Sequence, residues 1–95
     1  MKFLESVGFS KEEIKELKNS IADVMIETLK KNKRLVKANI EYLKDLGVKN
    51  IHEIFFNYYE LFLMDYRNFT EIFNKYDRED LIEKLAKNIA IIEYL

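Results

Sequence analysis

The stretch LKDLGVKNIHEIFFNYYELFLM, residues 43–64, contains a place where one helix must end and the start of a second, strongly aromatic one. Leu43 and Leu46 stand three apart on one helical face, and Gly47 follows where a helix C-terminus needs a residue at home in the left-handed backbone region. Val48 is apolar and suited to fold back over that stop. Asn50 is positioned to cap the next turn, with Glu53 three residues on as its capping partner. The helix predicted from about Asn50 carries Ile51, Ile54, Phe55, Tyr58, Tyr59 and Phe62 at helical spacing. Phe56, Leu61, Leu63 and Met64 widen the stripe until little of the cylinder is polar. Such a helix has to be covered on most sides, and the rest of the chain must supply the cover.

The totals agree with helices. The 95 residues are 48% apolar and 35% charged, with two glycines and no proline, which suits long helical runs and leaves few of the turns a sheet needs. We therefore expect one all-α domain, a compact array of five to six short helices spanning residues 1–95, with a single core. The formal charge is −1 and the pI about 5.9, so only a local patch, not the whole molecule, would attract a polyanion. The absence of cysteine excludes disulfides, thiolate chemistry and cysteine-bound zinc. No uncharged run approaches a membrane span and MKFLESVGFS lacks the apolar core of a secretory signal, so the expectation is a cytoplasmic protein with no membrane contact.

Outward from the centre, Phe3, Leu4 and Val7 predict a single turn closed by Gly8. Ser10-Lys11-Glu12-Glu13 reads as a capping box, and Ile14, Leu17, Ile21, Val24, Met25 and Leu29 carry a helix, kinked near Asn19-Ser20, to about Lys31. Polar Asn32 and Lys33 interrupt the stripe, which predicts a break at residues 31–34. Without it, residues 10–46 would make one rod of about 50 Å, too long for so small a domain to cover. After Met64, Asp65 caps a short helix through Phe69, Ile72 and Phe73, and Asp77 caps a last one that carries Leu81, Ile82, Leu85, Ile89 and Ile92 to the C-terminus. Ala86 and Ala90 would admit a close neighbour there.

Phe3-Leu4-Glu5-Ser6-Val7-Gly8-Phe9-Ser10 and Tyr42-Leu43-Lys44-Asp45-Leu46-Gly47-Val48-Lys49 share a pattern of leucine, two residues, an aliphatic, glycine and an apolar residue. A third copy at Phe73–Asp77 would need aspartate in place of glycine. The run Asn39-Ile40-Glu41-Tyr42-Leu43-Lys44-Asp45-Leu46-Gly47-Val48, followed by Ile51, Ile54 and Tyr59-Glu60-Leu61-Phe62, resembles one unit of the mitochondrial transcription termination factor repeat, although Tyr59 stands where that family usually has proline. The resemblance implies stacked helical units and a module that binds nucleic acid along a basic concave face, not an enzyme.

Chemistry has little equipment. The one histidine, His52, has Val48, Lys49, Phe55 and Phe56 at the offsets where a helical metal partner would sit, and none is a ligand, so it reads as a boundary residue without a catalytic role. Glu12, Glu13 and Glu16, and Asp77, Glu79, Asp80 and Glu83, are explained by the positive ends of helices, without the spacing of a calcium loop. There is no Gly-rich phosphate loop, and no cofactor or small-molecule substrate is indicated. Two features stand apart. Lys30, Lys31, Lys33, Arg34 and Lys37 form a run of five cations uninterrupted by an acid, a candidate contact for nucleic acid or an acidic partner. Nine of the thirteen Phe and Tyr residues lie between Phe55 and Tyr76; packing accounts for most of them, and Tyr58, Tyr59 and Tyr66 are candidates for a partner surface. Ile91 and Leu95 lie partly off the face of Ile89 and Ile92 and would stay wet in a lone domain, so a protein partner or self-association would cover them.

Overall fold

The computed structural model describes all residues, Met1–Leu95, and is built of helices alone. Six α-helices, α1 (Lys11–Ser20), α2 (Asp23–Lys31), α3 (Lys33–Leu46), α4 (Ile51–Tyr58), α5 (Tyr66–Asn74) and α6 (Arg78–Lys87), are joined by three 3-10 helices at Lys2–Val7, Tyr59–Leu63 and Ile89–Tyr94. The all-α expectation holds. The longest helix, α3, lies at the centre and packs against α2, α4, α5 and the first two 3-10 helices. The molecule measures 35 × 25 × 23 Å, and its 20 buried apolar side chains form one cluster.

Phenylalanines organise that cluster. Phe9, Phe55, Phe62, Phe69 and Phe73 make a continuous chain of ring contacts with centroids 5.0–5.4 Å apart, mostly edge-to-face or tilted, as ring quadrupoles favour. It links the N-terminal segment through α4 to α5, and all five rings are buried. Four of the nine aromatic residues from Phe55 to Tyr76 are therefore core, while Phe56, Tyr58 and Tyr59 are half-buried and Tyr66 and Tyr76 exposed.

The two glycine stops are as the sequence demands. Gly8 and Gly47 have φ of 98° and 101°, and they alone have positive φ. Their backbone bonds match position for position: Phe9 N–H donates to Leu4 O and Gly8 N–H to Glu5 O, just as Val48 N–H donates to Leu43 O and Gly47 N–H to Lys44 O. The segment around Asp77 has no left-handed residue, so it does not share this turn. Ser10 and Glu13 form the expected capping box, Asp65 accepts from Asn68 N–H and Asp77 from Asp80 N–H.

Four expectations need correction. The kink near Asn19-Ser20 is a full break: Ile21 and Ala22 are extended, and Ser20 Oγ donates back to Glu16 O at 2.8 Å, the back-bonding by which serine bends and ends helices. The aromatic helix does not continue to Met64 but changes at Tyr58 (φ −135°) into a tighter 3-10 turn. The fully buried Asn39 of α3 donates through Nδ2 to Phe62 O (3.0 Å) and Met64 O (2.9 Å), which ties the end of this turn to the central helix. The last helix ends at Lys87. Asn88 is extended (φ −156°) and accepts from Ala90 N–H, so Ala86 and Ala90 do not share a helical face and the tail folds back onto α6. Finally, Asn50 sits at the N-cap position of α4 without capping it; its Nδ2 donates 3.0 Å to Leu85 O, an orphan carbonyl at the C-terminal end of α6.

Candidate functional site

The junction between α2 and α3 presents the basic run. Asn32 alone separates the two helices: its N–H donates to Thr28 O and Leu29 O, its Nδ2 to Thr28 O, and its carbonyl accepts from Val36 N–H. With its amide spent on closing α2, Asn32 does not cap α3. The first turn of this 14-residue helix therefore has neither a side-chain cap nor an acid, and Lys33 and Arg34 stand on it. Lys31, Lys33 and Arg34 are exposed and, with Asn32 and Leu35, line a shallow depression of about 300 Å³. Lys37 is half-buried one turn further along α3. None of these four makes an ion pair.

Lys30 is different. It stands outside the depression and pairs with Glu27 at 3.6 Å. Its other neighbour is the chain's amino group, which is held below the usual range for an α-amine by burial first and then by Lys18 and Lys30 beside it. The structure thus brings Lys31, Lys33 and Arg34 together, places Lys37 behind them, and turns Lys30 toward Lys18 and the N-terminus. Sequence spacing had no means of finding Lys18 or the terminal amine, which reach this side only through tertiary packing.

The aromatic and C-terminal candidates do not form one surface. Tyr58 is half-buried, and its hydroxyl donates to Glu93 Oε2 at 2.8 Å, a bond that pushes the phenol pKa upward. With the half-buried Tyr59 it lines a hollow of about 320 Å³ whose far wall is Ile92 and Glu93. Tyr66 lies elsewhere, exposed and edge-on to Tyr42, whose hydroxyl bonds Asn74 and whose pKa is raised by burial and then by Tyr66. Ile91 and Leu95 are half-buried against the core, not wet as a continuous helix would have left them; with Tyr76, Leu81 and Tyr94 they line a third hollow of about 200 Å³.

The carboxylate groupings have local explanations. Glu13 serves the capping box, Asp77 caps α6, and Asp80 and Glu83 pair with Lys84 and Lys87 at 2.9 Å each. No group of three or more His, Asp or Glu side chains is placed to hold a metal ion, and no helix is long and apolar enough to cross a membrane. His52, read from its sequence neighbours as unpartnered, has a partner 39 residues away: Nδ1 lies 2.7 Å from Glu13 Oε2.

With this geometry in view, comparison with known proteins adds no relative: no protein-family model, no curated protein and no solved structure matches the chain.

Proposed function

We propose that the chain is a non-catalytic helical module that grips a polyanion, the phosphate backbone of a nucleic acid, at the α2–α3 junction. The observation that carries this reading is the group of four unpaired cations, Lys31, Lys33, Arg34 and Lys37, around the uncapped start of α3. The net charge of −1 means that the rest of the surface is acidic enough to orient a polyanion toward this one end. A helix start and point charges recognise phosphate and not bases, so binding is expected to be weakly sequence-dependent. The likeness of Asn39–Phe62 to a termination-factor repeat supports the same class of partner.

The test is the salt dependence of binding to labelled single-stranded and duplex oligonucleotides. The logarithm of the association constant should fall linearly with the logarithm of salt concentration, by about 0.7 to 0.9 per phosphate contacted, and Lys33→Glu with Arg34→Glu should flatten the slope by about 1.5 to 2. Binding indifferent to salt, or to the double charge reversal, refutes the reading.

A second reading rests on the C-terminal tail. Tyr94 is 86% exposed beside the hollow formed by Tyr76, Ile91 and Leu95, an aromatic rim suited to a protein partner or a second copy of the chain. Concentration-dependent sedimentation that Tyr94→Ser abolishes favours self-association; a strict monomer counts against it.

A further inference from the structure

The largest depression of the molecule, about 570 Å³, lies away from the α2–α3 junction, between the two glycine turns. Its walls are Val7 and Gly8 on one side and Gly47 to Glu53 on the other, with Lys44 beside them. What distinguishes it is a histidine fixed from two sides. The Glu13 carboxylate accepts from Ser10 N–H through Oε1 (2.9 Å), which locks its orientation, and presents Oε2 to His52 Nδ1 at 2.7 Å. The imidazole also stacks on the buried Phe9 ring, 4.1 Å between centroids. With Nδ1 engaged by a carboxylate, Nε2 is the nitrogen left for a ligand.

Gly8 gives that nitrogen room. A β-carbon on Gly8 would lie 3.9 Å from His52 Nε2 and 3.8 Å from Lys44 Nζ, so the imidazole and the ammonium converge on the space above a bare Cα. Lys44 has no carboxylate partner and only a long contact, 3.4 Å, to Val7 O; Glu41 and Asp45 border the adjoining hollow without pairing with it. Lys49 adds a second ammonium to the lining, against one unengaged acid, Glu53. Ile51, His52 and Glu53, the first turn of α4, line the same depression, and no side chain caps that turn because Asn50 has turned its amide to Leu85.

We propose that this depression binds a terminal phosphate group, held between the Lys44 ammonium and His52 in its imidazolium form, in which Nδ1–H donates to Glu13 and Nε2–H to the ligand, with Lys49 and the first turn of α4 completing the donors. A dianionic, tetrahedral group offers several acceptor oxygens to donors that arrive from different directions, and neither an apolar nor a cationic ligand suits this lining. The group has two sources, a small phosphorylated molecule or the 5′-phosphate of an oligonucleotide, and the experiment separates them.

The experiment is amide and imidazole NMR titration of the full chain with inorganic phosphate, then with 5′-phosphorylated and 5′-hydroxyl forms of one short oligonucleotide. Saturable shifts of Ile51, His52, Glu53 and the His52 ring are expected, with Lys44→Gln and His52→Gln each weakening the affinity for inorganic phosphate about tenfold while Arg67→Gln, on α5 and outside the lining, leaves it unchanged. The dispersion of each variant's spectrum reports that it is folded. Saturation by inorganic phosphate assigns the site to small phosphorylated ligands; a response only to the 5′-phosphorylated strand assigns it to nucleic-acid ends. No saturable shift at tens of millimolar phosphate and none that depends on the 5′-phosphate, or shifts that persist unchanged in Lys44→Gln, overturns the site. Because Lys33→Glu with Arg34→Glu tests the junction separately, loss of this site and loss of polyanion binding at α2–α3 are distinguishable outcomes.

Discussion

Gly47 and Gly8 are equal in backbone angle and unequal in surroundings. In both, a side chain in the left-handed region costs about 1–2 kcal/mol. At Gly47 a new β-carbon would also come within 3.2 Å of Ile82 Cδ1 and 3.5 Å of an Arg78 guanidinium nitrogen, whereas at Gly8 the nearest atoms are 3.8 Å away. Urea denaturation should therefore show Gly47→Ala to be the more damaging by about 1 kcal/mol; equal losses would mean that the α3–α4 turn yields more easily than its packing implies. Glu13 gives a prediction in pH. Its carboxyl is held below the usual range chiefly by the Ser10 backbone N–H, with His52 helping and burial opposing. Because the folded-state pKa is the lower one, the stabilisation is complete above the unfolded value near 4.5 and disappears as pH falls through the folded value. The stability gap between the protein and Glu13→Gln should accordingly be widest near neutrality and close in acid; a gap that widens as pH falls would contradict this.

At the scale of elements, the helix starts and stops written as local signals were legible, with Asn50, read as a cap and bonded to Leu85 O instead, as the exception. Gly8, Gly47, Ser10 with Glu13, Asp65 and Asp77 each act within four residues of themselves, so sequence spacing suffices to read them. The errors share a different cause. Beside the breaks after α4 and α6, asparagine side chains bond in ways that spacing does not show: Asn39 reaches Phe62 and Met64, Asn50 reaches Leu85, and Asn88 bonds its own turn. Apolar periodicity continues through these breaks, and so it predicts longer helices than form. Asn39 is the strongest case. Asn39→Ala leaves two carbonyls without their donor and should cost about 2–4 kcal/mol, and Asn39→Asp should cost more because it buries a charge facing those carbonyls. Chemical denaturation measures both; an Asn39→Ala variant as stable as the parent would show that the 3-10 turn holds without this amide.

For the molecule as a whole, the candidate sites were legible only as far as they are contiguous in sequence. The basic run was visible because its five cations lie within eight positions, yet the structure divides it, turning Lys30 toward Glu27 and the N-terminus and leaving Lys31, Lys33 and Arg34 at the depression. The His52–Glu13 pair was invisible because it spans α1 and α4, and a search confined to helical offsets cannot cross between elements. The same packing that hides the phenylalanine chain inside leaves charge at one end of α3 with nothing in the protein to neutralise it, and the account of function depends on that surplus. The most direct measurement is amide chemical-shift mapping with a short single-stranded oligonucleotide at low salt. Perturbations centred on Lys31 to Lys37 that recede as salt is raised are expected; perturbations confined to Tyr58, Tyr59, Tyr66 or the Ile91–Leu95 tail, or none at all, would overturn the proposed polyanion grip.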